Sequence, residues 1–525
     1  MSKKIGALFL VLCFSFILLG KGKREEIPMP IHPPLSEHKT FAIGMLKTED
    51  PLFLNPAAAT DIRSTLILDG LFEGLYSLDP QSADPIAAIA IETTVSNNGR
   101  IWTIRLDPRA RFSNGDPITA ATFIESWFWL LDNKDEETGN SYVVTMMECI
   151  EGVKGYREGS SSKSSVGLKA LGPYVLEIRL VSAAPYLKAL LATLPFSAIH
   201  SSNRNGTFFP IISSGAFEIR EQNADYVLLG KQNWYRRWEE VKSDFIRFDF
   251  LQPKELQHAY SNHQIHWSLD YIPFELLHSP TDLRLSPEYS TGFYYFSSAS
   301  GPYANANVKK ALSLFIPWEE IRQTSGQIFP TKRLIPFQYN GTTEISGSQQ
   351  AEALRLLAAE GYPYGAGLPT LSMAVHSGSF LIEASSQIAD QWSKELGITV
   401  VLDVVPLGVY SRYPELSPYD FAFMTWIGDF HDPFAFLNLF RGESRYNLSN
   451  VVDKTYDELV SAAMIEPTQK AIRKAEQHLL DQGTVIPLYH GMATNIIDSL
   501  LVRGWYENEL NIHPLRYLEL TSFEQ

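Results

Sequence analysis

The sequence predicts a multi-domain α/β protein, and three observations carry that expectation. The chain has 525 residues, too many for one hydrophobic core, so two or three domains are expected. Between Leu371 and Val405 a strand, an amphipathic helix and a second strand follow one another, the pattern of a βαβ unit. Earlier in the chain, segments with a period of two alternate with segments of helical period, as in Trp102–Leu106 and Phe123–Leu130.

The elements follow in order. Lys3 and Lys4 precede the apolar stretch Ile5–Gly20, which is shorter than the roughly 20 residues a spanning helix needs and suits a secretory signal. Residues 1–22 are therefore an export signal or an uncleaved membrane anchor. Cys13 lies inside the stretch behind Leu12, where lipid attachment wants a small residue. Residues 23–40, rich in Pro, Glu and Lys, read as a flexible tether. Ordered structure is expected from Thr40-Phe-Ala-Ile-Gly. Trp102, Ile104 and Leu106 alternate with polar residues as a half-buried strand; Asn114-Gly-Asp-Pro117 is a turn, and Thr119 caps a helix that aligns Phe123, Trp127 and Leu130. Val175–Leu180 and Tyr226–Leu229 are further strands. Leu371–Val375 is a strand, Ile388, Ala389, Trp392 and Leu396 form a helical stripe stopped by Gly397, and Ile398–Val405 is a strand apolar on both faces. This predicts a parallel sheet covered on both sides.

Composition is that of an ordinary soluble globular protein: 45% hydrophobic, 20% charged and 12% aromatic, with 10 Trp and 24 Tyr. Such aromatics suit either a large recognition cleft or a core. The net charge of -15, without a long basic cluster, argues against nucleic-acid binding. Beyond the signal only Cys149 remains, so no intramolecular disulfide is available, and a lone cysteine is more often a buried small hydrophobe than a nucleophile.

Chemistry-bearing motifs are sparse. Ser160-x-x-Lys163 has the spacing of a serine acyl-transferase pair, but it lies in a serine-rich loop without companion motifs. HExxH, CxxC, GxSxG and P-loop patterns are absent, and the 12 His are scattered. The segment Trp426-Ile-Gly-Asp-Phe-His-Asp-Pro433 places Asp429 and Asp432 among Trp426, Phe430, Phe434 and Phe436, with no cation nearby in sequence before Arg441. A charge against apolar surface is costly without a partner. His431 with the two acids makes at most a weak metal set, and an Asp429/Asp432 dyad or a Ser160/Lys163 pair is all that a hydrolase reading could use. Without a catalytic set, the residues favour a binder over an enzyme, with no cofactor.

Several segments, in order, resemble the periplasmic oligopeptide-binding proteins of ABC transporters, extracellular solute-binding protein family 5. They are Gly70-Leu-Phe-Glu-Gly-Leu75; Trp102-Thr-Ile-Arg-Leu106 with Arg111-Phe-Ser-Asn-Gly-Asp-Pro-Ile-Thr-Ala120; Gly215-Ala-Phe with Asn233-Trp-Tyr235; Gly292-Phe-Tyr-Tyr-Phe296 with Asn307-Val-Lys-Lys-Ala-Leu312; and Ile486-Pro-Leu-Tyr489. The resemblance implies an α/β two-lobed periplasmic binding protein (class II, cluster C) with an additional domain in the first lobe. Carried onto this chain, the first lobe comprises 41–72, 197–290 and the return 496–525, the additional domain 73–196, and the second lobe 291–495. It further implies a monomeric receptor that holds a short extended peptide between the lobes and passes it to an ABC permease with its ATPase. Receptors for murein peptides, nickel chelates or haem are the alternatives within the fold.

The resemblance also assigns residues. Asp429 would anchor the peptide's α-ammonium and Trp426 would wall its pocket, while Asp432-Pro433 begins a helix. Thr60, Asp61 and Ile62, with Arg63, would supply a gripping edge on the first lobe. Ser290–Tyr294 with Tyr295, Leu402–Pro406, the strand before Trp426, and Tyr489 would line the other wall. Phe423 stands where some members carry an arginine for the peptide carboxylate, which implies either a longer ligand with that group near His376 or Arg412, or a different ligand altogether.

Overall fold

The computed structural model describes residues 29–36, 39–49, 51–57, 61–132, 146–204, 210–298, 300–317, 320–321, 329–336, 349–377, 379–406, 419–442, 444, 447 and 449–521. The signal or anchor, Thr60 and Arg412 lie outside the described residues. Among those described, no helix is long and apolar enough to cross a membrane.

An eleven-stranded sheet runs through the molecule. At one end stand Val400–Val405, Leu371–His376 and Phe421–Ile427; at the other stand Thr40–Leu46, Phe245–Leu251, Tyr226–Lys231 and Phe217–Gln222. Two long antiparallel strands, Leu283–Phe296 and Val485–Ile497, join the ends. Their pairing shifts register between Pro287 and Thr291, where Pro287 cannot donate to a ladder. Each end has its own apolar core. Phe41, Ile43, Phe248 and Trp267 belong to one, and Tyr294, Phe421, Trp392 and Ile388 to the other. Phe245–Leu251 shows how the sequence selects the face: Ile246, Phe248 and Phe250 are buried while Arg247 and Asp249 are turned toward solvent.

The βαβ unit is present. Leu371–His376 and Val400–Val405 pair in parallel, joined by the helix Ser379–Leu396, which buries Ile388 and Trp392. Gly397 follows with φ +64 and closes the helix in the left-handed region. The expectation that both faces of the second strand are covered does not hold. Val400–Val405 is the outermost strand, with Val401 48% and Val404 46% exposed. An edge strand has helix on one face only here, and a run of valines does not reveal that.

A separate four-stranded antiparallel sheet orders Ala90–Ser96, Ile101–Leu106, Val175–Arg179 and Leu168–Gly172. Trp102, Ile104 and Leu106 point inward, against the helix Ala120–Asp132 with its buried Phe123, Trp127 and Leu130. Thr119 Oγ1 accepts from the Thr122 backbone N–H at 3.3 Å as the cap. Cys149 packs against this core, and burial pushes its thiol up to about 12, which leaves it unreactive. The same core continues across to Phe434, Phe436 and Val460, and Tyr186 stacks on Phe430 at 5.7 Å. The 73–196 segment is thus packed directly against the helices that follow Asp429. At the N-terminal side, the His32 ring stacks on Trp238 at 4.1 Å and Asp244 accepts from the Ser36 N–H at 2.9 Å. These contacts hold part of the expected flexible tether along the surface.

Candidate functional site

The site grows from Phe421–Ile427 and its neighbours. In this strand Met424 and Trp426 point into the core, whereas Thr425 and Ile427 are exposed, as is Asp429 just beyond. Its antiparallel partner places Ser290 opposite Ile427 and Gly292 opposite Thr425, and the Gly428 N–H donates to the Tyr289 carbonyl at 2.8 Å. On the other side, the parallel ladder to Leu371–His376 has only two pairs, Met373 with Phe421 and Ala374 with Ala422, after which the strands diverge. Tyr489 crosses over Gly292, where a Cβ would stand 2.5 Å from its ring, and its hydroxyl lies 3.2 Å from Thr425 Oγ1. Only glycine fits at 292. The result is an open strip of sheet surface ending at a carboxylate.

Asp429 combines two properties that rarely coincide. Its side chain is reached by solvent, yet surrounding protein desolvates it enough to raise its pKa from 3.8 to about 7. Among the described residues, no cation, donor or other charge offsets that desolvation. Arg441, the first cation after it in sequence, acts instead on Tyr186 and Tyr456. The neighbouring acid behaves differently: burial raises Asp432 to about 6, but its Oδ1 accepts from the Phe434 N–H at 3.0 Å at the start of Phe434–Leu437. His431 turns to Glu509 at 2.8 Å, and this hydrogen bond raises the imidazole's pKa. The three residues therefore do not converge on one point as metal ligands would.

The other sequence-derived candidates fall in varied places. Trp426 is 7% exposed and donates its indole N–H to the Ala435 carbonyl at 3.1 Å, so it supports the strip from beneath. Tyr294 is in the core with its hydroxyl 2.8 Å from Ser385 Oγ, and Tyr295 is buried beside Phe293. Neither side chain faces the strip, because side chains on this strand beyond Gly292 are covered by packed helices and aromatic rings. Phe423 is fully buried, 5.1 Å from Tyr294, 5.9 Å from His376 and 6.0 Å from Tyr489 between ring centroids. His376 is half-buried at its strand's end, and desolvation lowers its pKa, which favours the neutral ring. Leu402–Pro406 runs along the far edge of the sheet.

At the expected gripping edge, Asp61 stands at the start of a helix. Its carboxylate accepts from the Ser64 N–H at 3.0 Å as N-cap of the helix Ile62–Leu71. Ile62 and Arg63 are then the first helical residues, and helical backbone cannot extend a β-ladder. Ile62 remains 51% exposed. Ser160 and Lys163 do not pair: Ser160 Oγ donates to the Gly155 carbonyl, and Lys163 sits over the Phe128 ring at 4.1 Å. The cluster of potential metal ligands found among the described residues is His263, His278 and Asp498. Its two rings stack 3.8 Å apart and 15° from parallel, and each already has an in-plane partner, His263 Nδ1 with the Asp498 carboxylate and His278 Nε2 with the Tyr260 carbonyl, so the stacked rings are not aimed at one shared ion.

Within the strand expected to line the wall, the sequence analysis did not single out Thr425, and it stopped short of Ile427; strand alternation makes both legible once Trp426 is placed inward.

A family model described as bacterial extracellular solute-binding proteins, family 5 middle, matches residues 84–447. The oligopeptide-binding protein OppA of Bacillus subtilis is 25% identical, with 95% of this chain and 96% of that protein covered. The periplasmic murein peptide-binding protein MppA of Escherichia coli is 24% identical, covering 87% and 88% respectively. Among solved structures, a periplasmic oligopeptide-binding protein (OppAIV) from Borrelia burgdorferi superposes with a TM-score of 0.75 at 25% identity, covering 92% of this chain and all of that one.

Proposed function

The chain belongs to the bacterial extracellular solute-binding proteins of family 5, and from that premise we propose that it captures short peptides by their free amino terminus and delivers them to an ABC permease. It is a binding receptor and not an enzyme. The observation that carries the peptide reading is Asp429, an accessible carboxylate that pays a desolvation cost with no partner among the described residues. A peptide's α-ammonium supplies the missing cation through a charge-assisted hydrogen bond. Thr425 and Ile427, on the strand edge beyond the short ladder at Ala422, then offer backbone groups along which an extended peptide can pair. Such pairing does not depend on peptide sequence. Relatives named for oligopeptides and for murein peptides support a peptide ligand of either origin, and Asp429 accepts both provided the amine is free.

The direct test is to purify the protein from cells, denature it, and identify released small molecules by mass spectrometry. An assortment of short peptides is the expected result. An empty protein that also shows no heat of binding with mixed tripeptides to pentapeptides sinks the proposal.

A further inference from the structure

The loop that carries Asp429 is held on both sides of that residue. Before it, the Gly428 N–H donates to the Tyr289 carbonyl at 2.8 Å. A Cβ at Gly428 would stand 2.6 Å from Tyr289 Cδ1, so only glycine lets the chain pass this close to the ring. After it, Phe430 is buried and stacks on Tyr186, and the His431 imidazole meets the Tyr289 ring edge-on at 4.9 Å. The loop thus wraps the buried Tyr289 ring and leaves Asp429 facing water between two buried neighbours, Gly428 and Phe430.

A residue from a distant part of the chain, Glu509, takes hold of this wrap at two points. Its carbonyl accepts from the Tyr289 N–H at 2.5 Å, and its carboxylate pairs with His431 Nε2 at 2.8 Å. Glu509 raises the imidazole's pKa through that hydrogen bond. Burial opposes the effect, while Asp84, just ahead of the strand Pro85–Ala87, and Asp432 on the same loop add to it. Asp429 itself registers desolvation and not the charge of His431. The pair therefore reaches Asp429 through the position of the loop.

We propose that Glu509 and His431 are positioning residues for the ammonium anchor: their ion pair fixes the loop from Gly428 to His431 so that the Asp429 carboxylate is already aimed at an incoming peptide amine. This rests on the reading of Asp429 as that anchor. A carboxylate held in place binds without the ordering cost that a free loop pays. When the imidazole loses its proton the charged pair becomes a neutral contact and the hold weakens. The benefit is thus present at low pH and lost as pH rises through the raised value, opposite in sense to the titration of Asp429. With side chains 30% and 38% exposed, the pair is worth about twofold to fivefold in affinity.

Calorimetry with Ala-Ala-Ala at pH 6 and pH 9 tests this on the native protein, Glu509→Gln, Asp429→Asn and the double variant. Titration of Asp429 and of the peptide's amine affects the native protein and Glu509→Gln alike, so the ratio of their dissociation constants isolates the pair. Glu509→Gln should bind about twofold to fivefold more weakly than the native protein at pH 6 and equally at pH 9. Within Asp429→Asn the same change should leave affinity unaltered, because no charged anchor remains to be aimed. In a His431→Lys background, where the positive charge persists, Glu509→Gln should cost as much at pH 9 as at pH 6. No loss at pH 6 overturns the positioning role, as does an equal loss at both pH values or an equal loss with and without the Asp429 carboxylate. If Asp429→Asn binds as tightly as the native protein, the anchor reading fails and the positioning role with it. If Asp429→Asn is weak but Glu509→Gln matches the native protein at pH 6, the anchor stands and only the positioning role falls. If the native protein does not bind the peptide, the receptor reading itself fails.

Discussion

Replacing Asp429 with asparagine keeps the side chain's size and removes only its charge. At an effective dielectric of about 20, a carboxylate and an ammonium about 4 Å apart attract by ~4 kcal/mol. Part of that is spent desolvating the ligand's amine, so a net loss of ~3 kcal/mol is expected, or roughly two decades in Kd. The native protein should in addition show a pH signature. Because burial raises Asp429 to about 7, it is largely protonated at pH 6 and must release that proton to meet an ammonium. Affinity for a free-amine peptide should then fall about tenfold per pH unit below 7, with protons released on binding, while Asp429→Asn stays flat from pH 5 to 8. Stability moves in the opposite sense. The folded state holds a proton on Asp429 that the unfolded chain gives up near 3.8, so this residue costs stability as pH rises from 3.8 through 7. Because Asp429 is exposed to water, that cost is screened to on the order of 1 kcal/mol, and the asparagine variant should melt higher at pH 8 but not at pH 4. Calorimetry in buffers of different ionisation enthalpy measures both affinity and proton release. An affinity that ignores pH in the native protein, or a variant that binds as tightly as the native protein, refutes the reasoning.

His431 and Glu509 pair at 2.8 Å between the loop after Asp429 and the C-terminal return. The imidazole pKa is raised by Glu509, with Asp84 and Asp432 adding to the effect. Its stabilising contribution is therefore complete below about 6.5 and lost as pH rises through the raised value; Glu509→Gln should remove that dependence from a pH series of melting temperatures, at ~0.5–1 kcal/mol for so exposed a pair. Glu73 is buried with Arg236 and Arg237. Burial alone would raise its pKa, yet the two guanidinium groups lower it to about 2. This stability is present above 4.5 and lost as pH falls toward 2, so Glu73→Gln should cost ~3–5 kcal/mol at pH 7 in urea unfolding and much less at pH 2.5. Tyr294→Phe leaves Ser385 without its partner and should cost about 1 kcal/mol while leaving peptide affinity within twofold, as measured by urea unfolding and calorimetry. Trp426→Ala should lower stability by ~3–5 kcal/mol through lost packing, without altering the preference for free over blocked amines.

Local periodicity made the regular elements readable. The strand at Trp102–Leu106, the helix carrying Phe123 and Trp127, and the strand–helix–strand run from Leu371 all follow from spacings of 2.0 and 3.6 residues. Asp429 was legible because an acid among Trp426, Phe430 and Phe434 demands a partner. Whatever depends on pairing between distant segments was not legible. The register that sets Ser290 against Ile427 joins strands far apart in the chain. The helix Ser379–Leu396 covers Phe421 and Phe423 but not Thr425, and this alone separates core from cleft on one strand. Asp61 shows another limit: nothing in its neighbours distinguishes a loop that meets ligand from the cap of Ile62–Leu71.

The central claim is that Asp429 holds the ligand's amino terminus. Acetylating the amine of a peptide removes the positive charge and leaves the protein untouched. With the native protein and a matched pair of peptides, free and N-acetylated, calorimetry at pH 8 should show the acetylated peptide at least about 100-fold weaker. Equal affinity for the two members of the pair would contradict the account.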